Sequence, residues 1–207
     1  MKKLLFLAIS LAWMAAGCCQ KPCDSCCQEE NAVISTILAR RSVRAYLDTP
    51  VEREKLQTIA ECGINAPNAM NRQAWAVRII DNPEFITGAT ELFKASHAEA
   101  VARDPNFKNM FRNAPAVIAI AAPEVGLAGF DCGLMAENMM LAACSLGLGT
   151  CCLGGPVPFF YEEAAAPFLA KLDLPEGYKL QVFLAVGYPD ESPDARPRDA
   201  SKIRFVE

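Results

Sequence analysis

Apolar residues along the chain fall into helical stripes, short uninterrupted runs and one long apolar stretch, and each pattern predicts a different element. Val33, Ile34, Ile37 and Leu38 repeat at helical spacing and stop at Arg40-Arg41-Ser42-Val43-Arg44, so a short helix should end in a basic segment. Leu56, Ile59, Ala60 and Gly63 mark one face of a second helix. Its start is expected at Thr49-Pro50-Val51-Glu52, with Thr49 as cap, Pro50 in the first helical position and Glu52 closing a capping box. Residues 75–80 read as a strand. Asn82-Pro83-Glu84 opens another helix that should run to about Arg103, and Asp104-Pro105 should open a short one. Residues 116–121, Ala-Val-Ile-Ala-Ile-Ala, suit a central strand buried on both faces. Residues 130–146 read as a helix broken in its apolarity only by Asp131, Glu137, Asn138 and Ser145. Such a helix belongs in the middle of a fold and at a subunit contact. Its Met135, Met139 and Met140 read as core filler, and Cys132 and Cys144 as small core residues. The glycines of 147–156 end it in a loop whose backbone can approach something closely. Residues 159–172 read as a helix or two short turns broken by Pro167, and 179–187 as the last strand. The tail, 188–207, is rich in Pro, Asp and Arg and should pack along another surface, such as a partner subunit.

The N-terminus follows a different logic. Lys2 and Lys3 precede an apolar run, residues 4–16, interrupted only by Ser10. That is shorter than the roughly 20 residues of a membrane span and has the form of a secretory signal. It closes on Ala15-Ala16-Gly17-Cys18, which resembles the lipobox of bacterial lipoproteins, with Ala15 where leucine is usual. The resemblance implies export to the cell envelope and acylation at Cys18, with Cys19 the alternative residue. An ordinary cleaved signal and a buried helix stay open. Residues 18–30 hold five of the ten cysteines and read as a tether. Cys23-Asp24-Ser25-Cys26 is a lone CxxC, without the second pair of a zinc site, and in an exported chain such thiols pair as disulfides. The expected organisation is a signal peptide at 1–17, a Cys-rich tether at 18–30 and a single domain at 31–207.

Charge narrows the function. The formal net charge is −4, and basic residues are not interleaved with aromatics, so nothing suggests a nucleic-acid groove. His97 is the single histidine. It reads as a surface residue on a polar helix, and its being alone excludes a multi-histidine metal site and leaves a Ser-His-Asp or Cys-His enzyme only with His97 as base. Against this acidic background the cluster at 40–44 stands out. Guanidinium forks match phosphate oxygens, each charge-assisted bond contributing about 1.5–3 kcal/mol, so the cluster is a candidate grip on a cofactor phosphate. Its plainer reading is a basic helix end favoured by the C-terminal dipole. The stretch 66–75 is dense in amides beside Trp75, which suits a flat heterocycle with alternating donors and acceptors. Asn68 and Asn71 are equally ordinary turn residues, whereas Gln73 lacks that explanation and is the stronger candidate. Residues 147–156 match neither a Walker loop nor a dinucleotide fingerprint. Cys151 and Cys152 read as packing residues, since a bridge between neighbours is strained.

Taken together, Arg40-Arg41-Ser42-Val43-Arg44, the segment Ala66-Pro67-Asn68-Ala69-Met70-Asn71-Arg72-Gln73-Ala74-Trp75, Leu146-Gly147-Leu148-Gly149 and Gly187-Tyr188-Pro189 resemble the FMN-dependent nitroreductase family in order and spacing. The resemblance implies an α+β fold: a central mixed, mostly antiparallel sheet flanked by helices, in an intertwined homodimer with FMN at the interface. It implies that Arg40, Arg41, Ser42 and Arg44 hold the phosphate and ribityl chain, helped by Arg196 and Arg198 from the tail. Pro67, Asn68, Asn71 and Gln73 would line the isoalloxazine or come from the other subunit, and the backbone of Leu153, Gly154 and Gly155 would pass near the ring. Asn68 stands where serine is usual and Ala74 where proline is usual. The implied activity is hydride transfer from NAD(P)H through flavin to an electron-poor acceptor such as a nitroaromatic or quinone. No side chain then has to act as acid or base, in keeping with a single histidine. Arg72 is a candidate cation beside the flavin's pyrimidine end. Two other readings compete: a non-catalytic flavin- or ligand-binding envelope lipoprotein, and a thiol-redox protein using Cys23–Cys26 or Cys151–Cys152.

Overall fold

In a computed structural model, which describes residues 31–207, the apolar run at 116–121 becomes the middle of a four-stranded sheet. The strands are β1 (Ala76–Ile80), β2 (Ala116–Pro123), β3 (Gly149–Leu153) and β4 (Tyr178–Gly187), in the order β1-β2-β4-β3 with every neighbouring pair antiparallel. The helices are α1 (Ala32–Ala39), α2 (Arg53–Ile64), α3 (Pro83–Ser96), α4 (Ala98–Ala102), α5 (Ala128–Ser145) and α6 (Ala166–Lys171). This is the expected α+β architecture. The mixed character comes, among the described residues, from one parallel bridge, Ser42 to Thr150, outside the four strands proper.

Two cores lie on opposite faces of the sheet. Side chains alternate along a strand, so Val117, Ala119 and Ala121 of β2 face one core while Ala116, Ile118, Ile120 and Ala122 face the other. On β4 the alternation slips once. Ile120 pairs with Val182 but Ala121 pairs with Leu180, leaving Gln181 as an extra residue. The bulge puts Leu180 on the same face as Phe183, three residues on, and both enter the first core. That core is aromatic: Phe85, Phe111, Phe159, Phe160 and Phe183 interlock, with Phe160 and Phe183 centroids 4.9 Å apart. The second core is α5 laid on the sheet with α2 against it. Gly63 makes that contact close. A Cβ there would run into Met139, whose Cγ is 2.6 Å from where it would sit.

Several sequence expectations meet physical corrections. α2 begins at Arg53 with Glu52 as N-cap and no side-chain cap bond, so Thr49-Pro50 do not start it. Glu52 instead accepts a hydrogen bond from Tyr188 Oη, at 2.7 Å, which uses up the carboxylate that a capping box requires. Asn82 does cap α3, accepting from Glu84 N at 2.8 Å. The helix breaks at His97 rather than continuing, because the ring folds back onto Phe93, with centroids 4.5 Å apart, and pairs with Glu162 at 3.2 Å. His97 is therefore a half-buried packing residue, not a simple surface one. Asp104-Pro105 opens a turn and no helix. Pro167 sits in the first turn of α6, where its missing N–H costs nothing, and so starts a helix rather than breaking one. The glycine-rich stretch 147–156 contains β3, read from sequence only as a loop. No helix among the described residues is long and apolar enough to cross a membrane. The signal, lipobox and tether assigned to 1–30 lie outside the described residues.

Candidate active site

The basic segment leaves α1 and runs beside the free edge of β3. Val43 N donates to Thr150 O at 2.9 Å, and Ser42 forms the parallel bridge to the same residue. Gly149 permits this approach: a Cβ there would lie 2.8 Å from the Val43 Cβ. Val43 and Tyr46 are buried, and Tyr46 Oη donates to Val43 O at 2.6 Å, fixing the segment from within. The chain just after β4 clamps its other side: Asp190 N donates to Ala45 O at 2.9 Å, and Glu191 accepts from Arg44 N.

This arrangement splits the arginines. Arg41 Nη1 donates to Leu38 O at 2.6 Å and Arg40 O at 2.8 Å, closing the carbonyl end of α1, so for this residue the plainer helix-end reading holds. Arg40 reaches α5, its Nε 3.2 Å from Glu137 Oε1 but off the axis of a hydrogen bond, so that buried N–H keeps a donor unused. Arg40 and Arg41 border a recess of about 240 Å³ with Gly147–Thr150 and the start of the tail. Thr150 also borders it, and its buried Oγ1 has no hydrogen-bond partner. Arg44 points the other way, into a cleft of about 570 Å³ whose floor is Cys151, Cys152, Leu153, Gly154 and Gly155. A Cβ added to Gly154 or Gly155 would meet nothing within 4 Å, so this stretch presents bare backbone to open space.

The amide-rich loop is built but lies elsewhere in the chain. Asn68 Oδ1 accepts from Gln73 N at 2.8 Å, Gln73 Nε2 donates to Asn71 Oδ1 at 3.3 Å, and Ala69 N donates to the buried Asp131 at 3.2 Å. Met70, Asn71 and Gln73 all have positive φ, a strained conformation for residues other than glycine. Gln73 therefore serves the turn as much as the asparagines do, which removes the reason for ranking it above them. Pro67, Asn71, Arg72 and Gln73 are exposed, and none of 67–73 lines either recess. Arg196 and Arg198 are exposed in the tail; Arg198 donates within its own segment, to Arg196 O at 3.1 Å, and neither lines either recess. Asp131 is the positioning residue that sequence missed. Its signal was a lone carboxylate in the first turn of an otherwise apolar helix.

The thiols argue against thiol chemistry. Cys151 and Cys152 are successive residues of β3, one buried and one exposed, so their side chains point to opposite faces and cannot bridge without unmaking the strand. Burial raises both thiols, most strongly offset at Cys151 by Arg44 and then Arg112. A redox thiol needs the opposite shift.

Comparison with known proteins places this geometry. The nitroreductase family profile matches residues 37–188. An NADPH-flavin oxidoreductase of Vibrio harveyi is 31% identical over 173 residues, covering 81% of this chain and 70% of its own. A nitroreductase from Desulfitobacterium hafniense solved with bound FMN superposes with a TM-score of 0.76 at 30% identity, over 86% of this chain and 99% of its own. A nitroreductase from Bacteroides fragilis, also solved with bound FMN, gives 0.73 at 28% identity, over 86% and 100%.

Proposed function

Because this chain belongs to the nitroreductase family, we propose that it is an FMN-dependent oxidoreductase that takes hydride from NAD(P)H and reduces an electron-poor acceptor such as a nitroaromatic or quinone. The observation that carries the reading is the Arg44 cleft, where a guanidinium, the open backbone of Gly154 and Gly155 and an apolar wall meet. The residues present fit the flavin mononucleotide. Thr150 Oγ1 and Arg40 Nε are buried donors without a hydrogen-bond partner, on the two segments that would hold the phosphate and ribityl chain. When bound, FMN would supply the redox chemistry. The protein's part is to hold and orient. Arg44 would neutralise phosphate charge with a hydrogen bond from the Ser42 hydroxyl, and Arg40 would add its charge from the smaller recess; the Leu153–Gly155 backbone would border one face of the ring, and the Phe93 and Phe107 side of the cleft would exclude water from the other.

The amide loop and the tail arginines do not reach this cleft within one chain, and that supports a homodimer in which Pro67, Asn68, Asn71 and Gln73, with Arg196 and Arg198, complete the site across the interface. Apolar side chains are available for such a contact: Leu38 at 68% exposure, Phe130 at 64% and Phe205 at 96%. Arg72, exposed on the same loop, would bring its cation to the pyrimidine end of the ring. We further propose export and lipid anchoring through Cys18, supported by the apolar run 4–16 and the small residues before the cysteine. Radiolabelled palmitate that enters the wild type and not a Cys18→Ser variant would establish the anchor; equal labelling of the two, with loss in Cys19→Ser, would move it one residue.

Purified protein should be yellow, carry one FMN per chain and bleach anaerobically with NADH or NADPH. Colourless protein that takes up no FMN would refute the reading, and yellow protein inert to both nicotinamides would favour the non-catalytic binder.

A further inference from the structure

The large cleft carries two guanidinium groups besides Arg44, the one assigned above to the flavin phosphate. They belong to Arg103, the residue that closes α4, and to Arg112 on the loop before β2. Neither the Arg103 nor the Arg112 guanidinium makes a hydrogen bond or ion pair among the described residues, and the chain as a whole is acidic. Asp104 is the one carboxylate in the lining, and its Oδ1 already accepts from Asn106 N at 3.0 Å.

Arg112 is held where it is at a conformational cost. It and Asn113 both have positive φ, at 58° and 66°, which costs on the order of 1 kcal/mol per residue for an ordinary side chain. Two asparagines clasp the turn from both sides. Asn109 Oδ1 accepts from Phe111 N and Asn113 N, both at 2.9 Å, while Asn113 Oδ1 accepts from Lys108 N at 2.8 Å and Asn109 N at 2.9 Å. The clasp fixes the turn between the buried Phe111 and Ala114, and with it the place from which Arg112 projects. That side chain is an unpaired guanidinium at the rim of a cleft walled by Phe93, Phe107 and Met110.

From the chemistry of that wall the geometry points to a seat, formed by Arg103 and Arg112, for a phosphate or carboxylate on the molecule that reacts at the flavin. This rests on the reading of the cleft as the flavin site. The substrate that fits is flat and apolar at its reacting end and carries an anionic group at the other. That group can come from the nicotinamide donor, as the 2′-phosphate of NADPH, or from the acceptor, as an acidic substituent on the aromatic ring.

The test is steady-state kinetics of the FMN-loaded protein and of an Arg103→Gln/Arg112→Gln double variant. NADPH is compared with NADH at fixed acceptor, and 4-nitrobenzoate with the neutral 4-nitrobenzamide at fixed donor. Loss of two charge-assisted contacts should lower kcat/KM about tenfold to a hundredfold for the anionic member of one pair, mainly through KM, and leave its neutral or less charged counterpart within about twofold. Loss confined to NADPH assigns the seat to the donor, and loss confined to nitrobenzoate assigns it to the acceptor. In the wild type, raising ionic strength should weaken the same member selectively. Equal behaviour of all four substrates in both proteins overturns the seat, as does a parallel loss across both pairs. FMN content, read from the absorbance at saturation, separates the two levels of inference. A wild type that binds no FMN fails the flavin reading itself, whereas a double variant that alone loses FMN shows that these arginines hold the cofactor and not the substrate.

Discussion

Thr150 shows how much a single hydroxyl can report. It is 2% exposed and its Oγ1 has no partner, so the chain alone bears an unsatisfied buried polar group. Thr150→Val should stabilise the FMN-free protein by up to about 1 kcal/mol in chemical denaturation, because the unpaired hydroxyl goes. The same change should weaken FMN, which a fluorescence titration measures; unchanged affinity would remove Thr150 from the cofactor's contacts. Asp131 works in the other direction. Its bond to Ala69 N pins the amide loop, so Asp131→Ala should cost about 1–3 kcal/mol, while Asp131→Asn, which keeps an acceptor, should cost clearly less. Cys132 gives a pH signature. Burial pushes its thiol up to about 11 from the ordinary 9.0. A group raised in the folded state contributes stability that is complete below its unfolded pKa and lost as pH rises through the folded one. Unfolding free energy should therefore fall between about pH 9 and 11, and less steeply in Cys132→Ala.

At the scale of elements, the sequence was most legible where burial and period agree. The stripe ending in Arg40, the run at 116–121, the apolar helix after Phe130 and the strand ending at Gly187 each became the expected element within a few residues. Three failures share one cause: a local signal lost to a tertiary partner. The capping box at Thr49–Glu52 lost its carboxylate to Tyr188, the helix from Asn82 broke where His97 found Phe93, and β3 hid because its glycine was read as a stop instead of a point of close approach. For the site, the arginines and the glycines could be found from their chemistry. Their division between two recesses could not, since it depends on which neighbour claims each guanidinium. Helix packing yields its own test. Gly63→Ala should cost about 1–3 kcal/mol through the clash with Met139, and Gly63→Ala combined with Met139→Ala should cost less than the sum of the separate changes. Strict additivity would mean that the two residues do not share the contact.

For the whole molecule, the proposed flavin site would be shared between two chains. Arg44 and the Gly154–Gly155 backbone face the cleft, while the amide loop and the tail arginines do not reach it. Light scattering during size exclusion should find a dimer, and a chain ending before Arg196 should lose FMN. A monomeric full-length protein with stoichiometric FMN would sink the shared site. The segment that carries the arginines has a second duty. It lies along the outer edge of β3, whose backbone groups would otherwise be open to pairing with another chain, and it does so only because Gly149 lets Val43 come close. A bulkier residue at position 149 would pry that cover away and leave a sticky strand exposed, so such variants should be lost as insoluble aggregate rather than recovered as soluble, colourless protein.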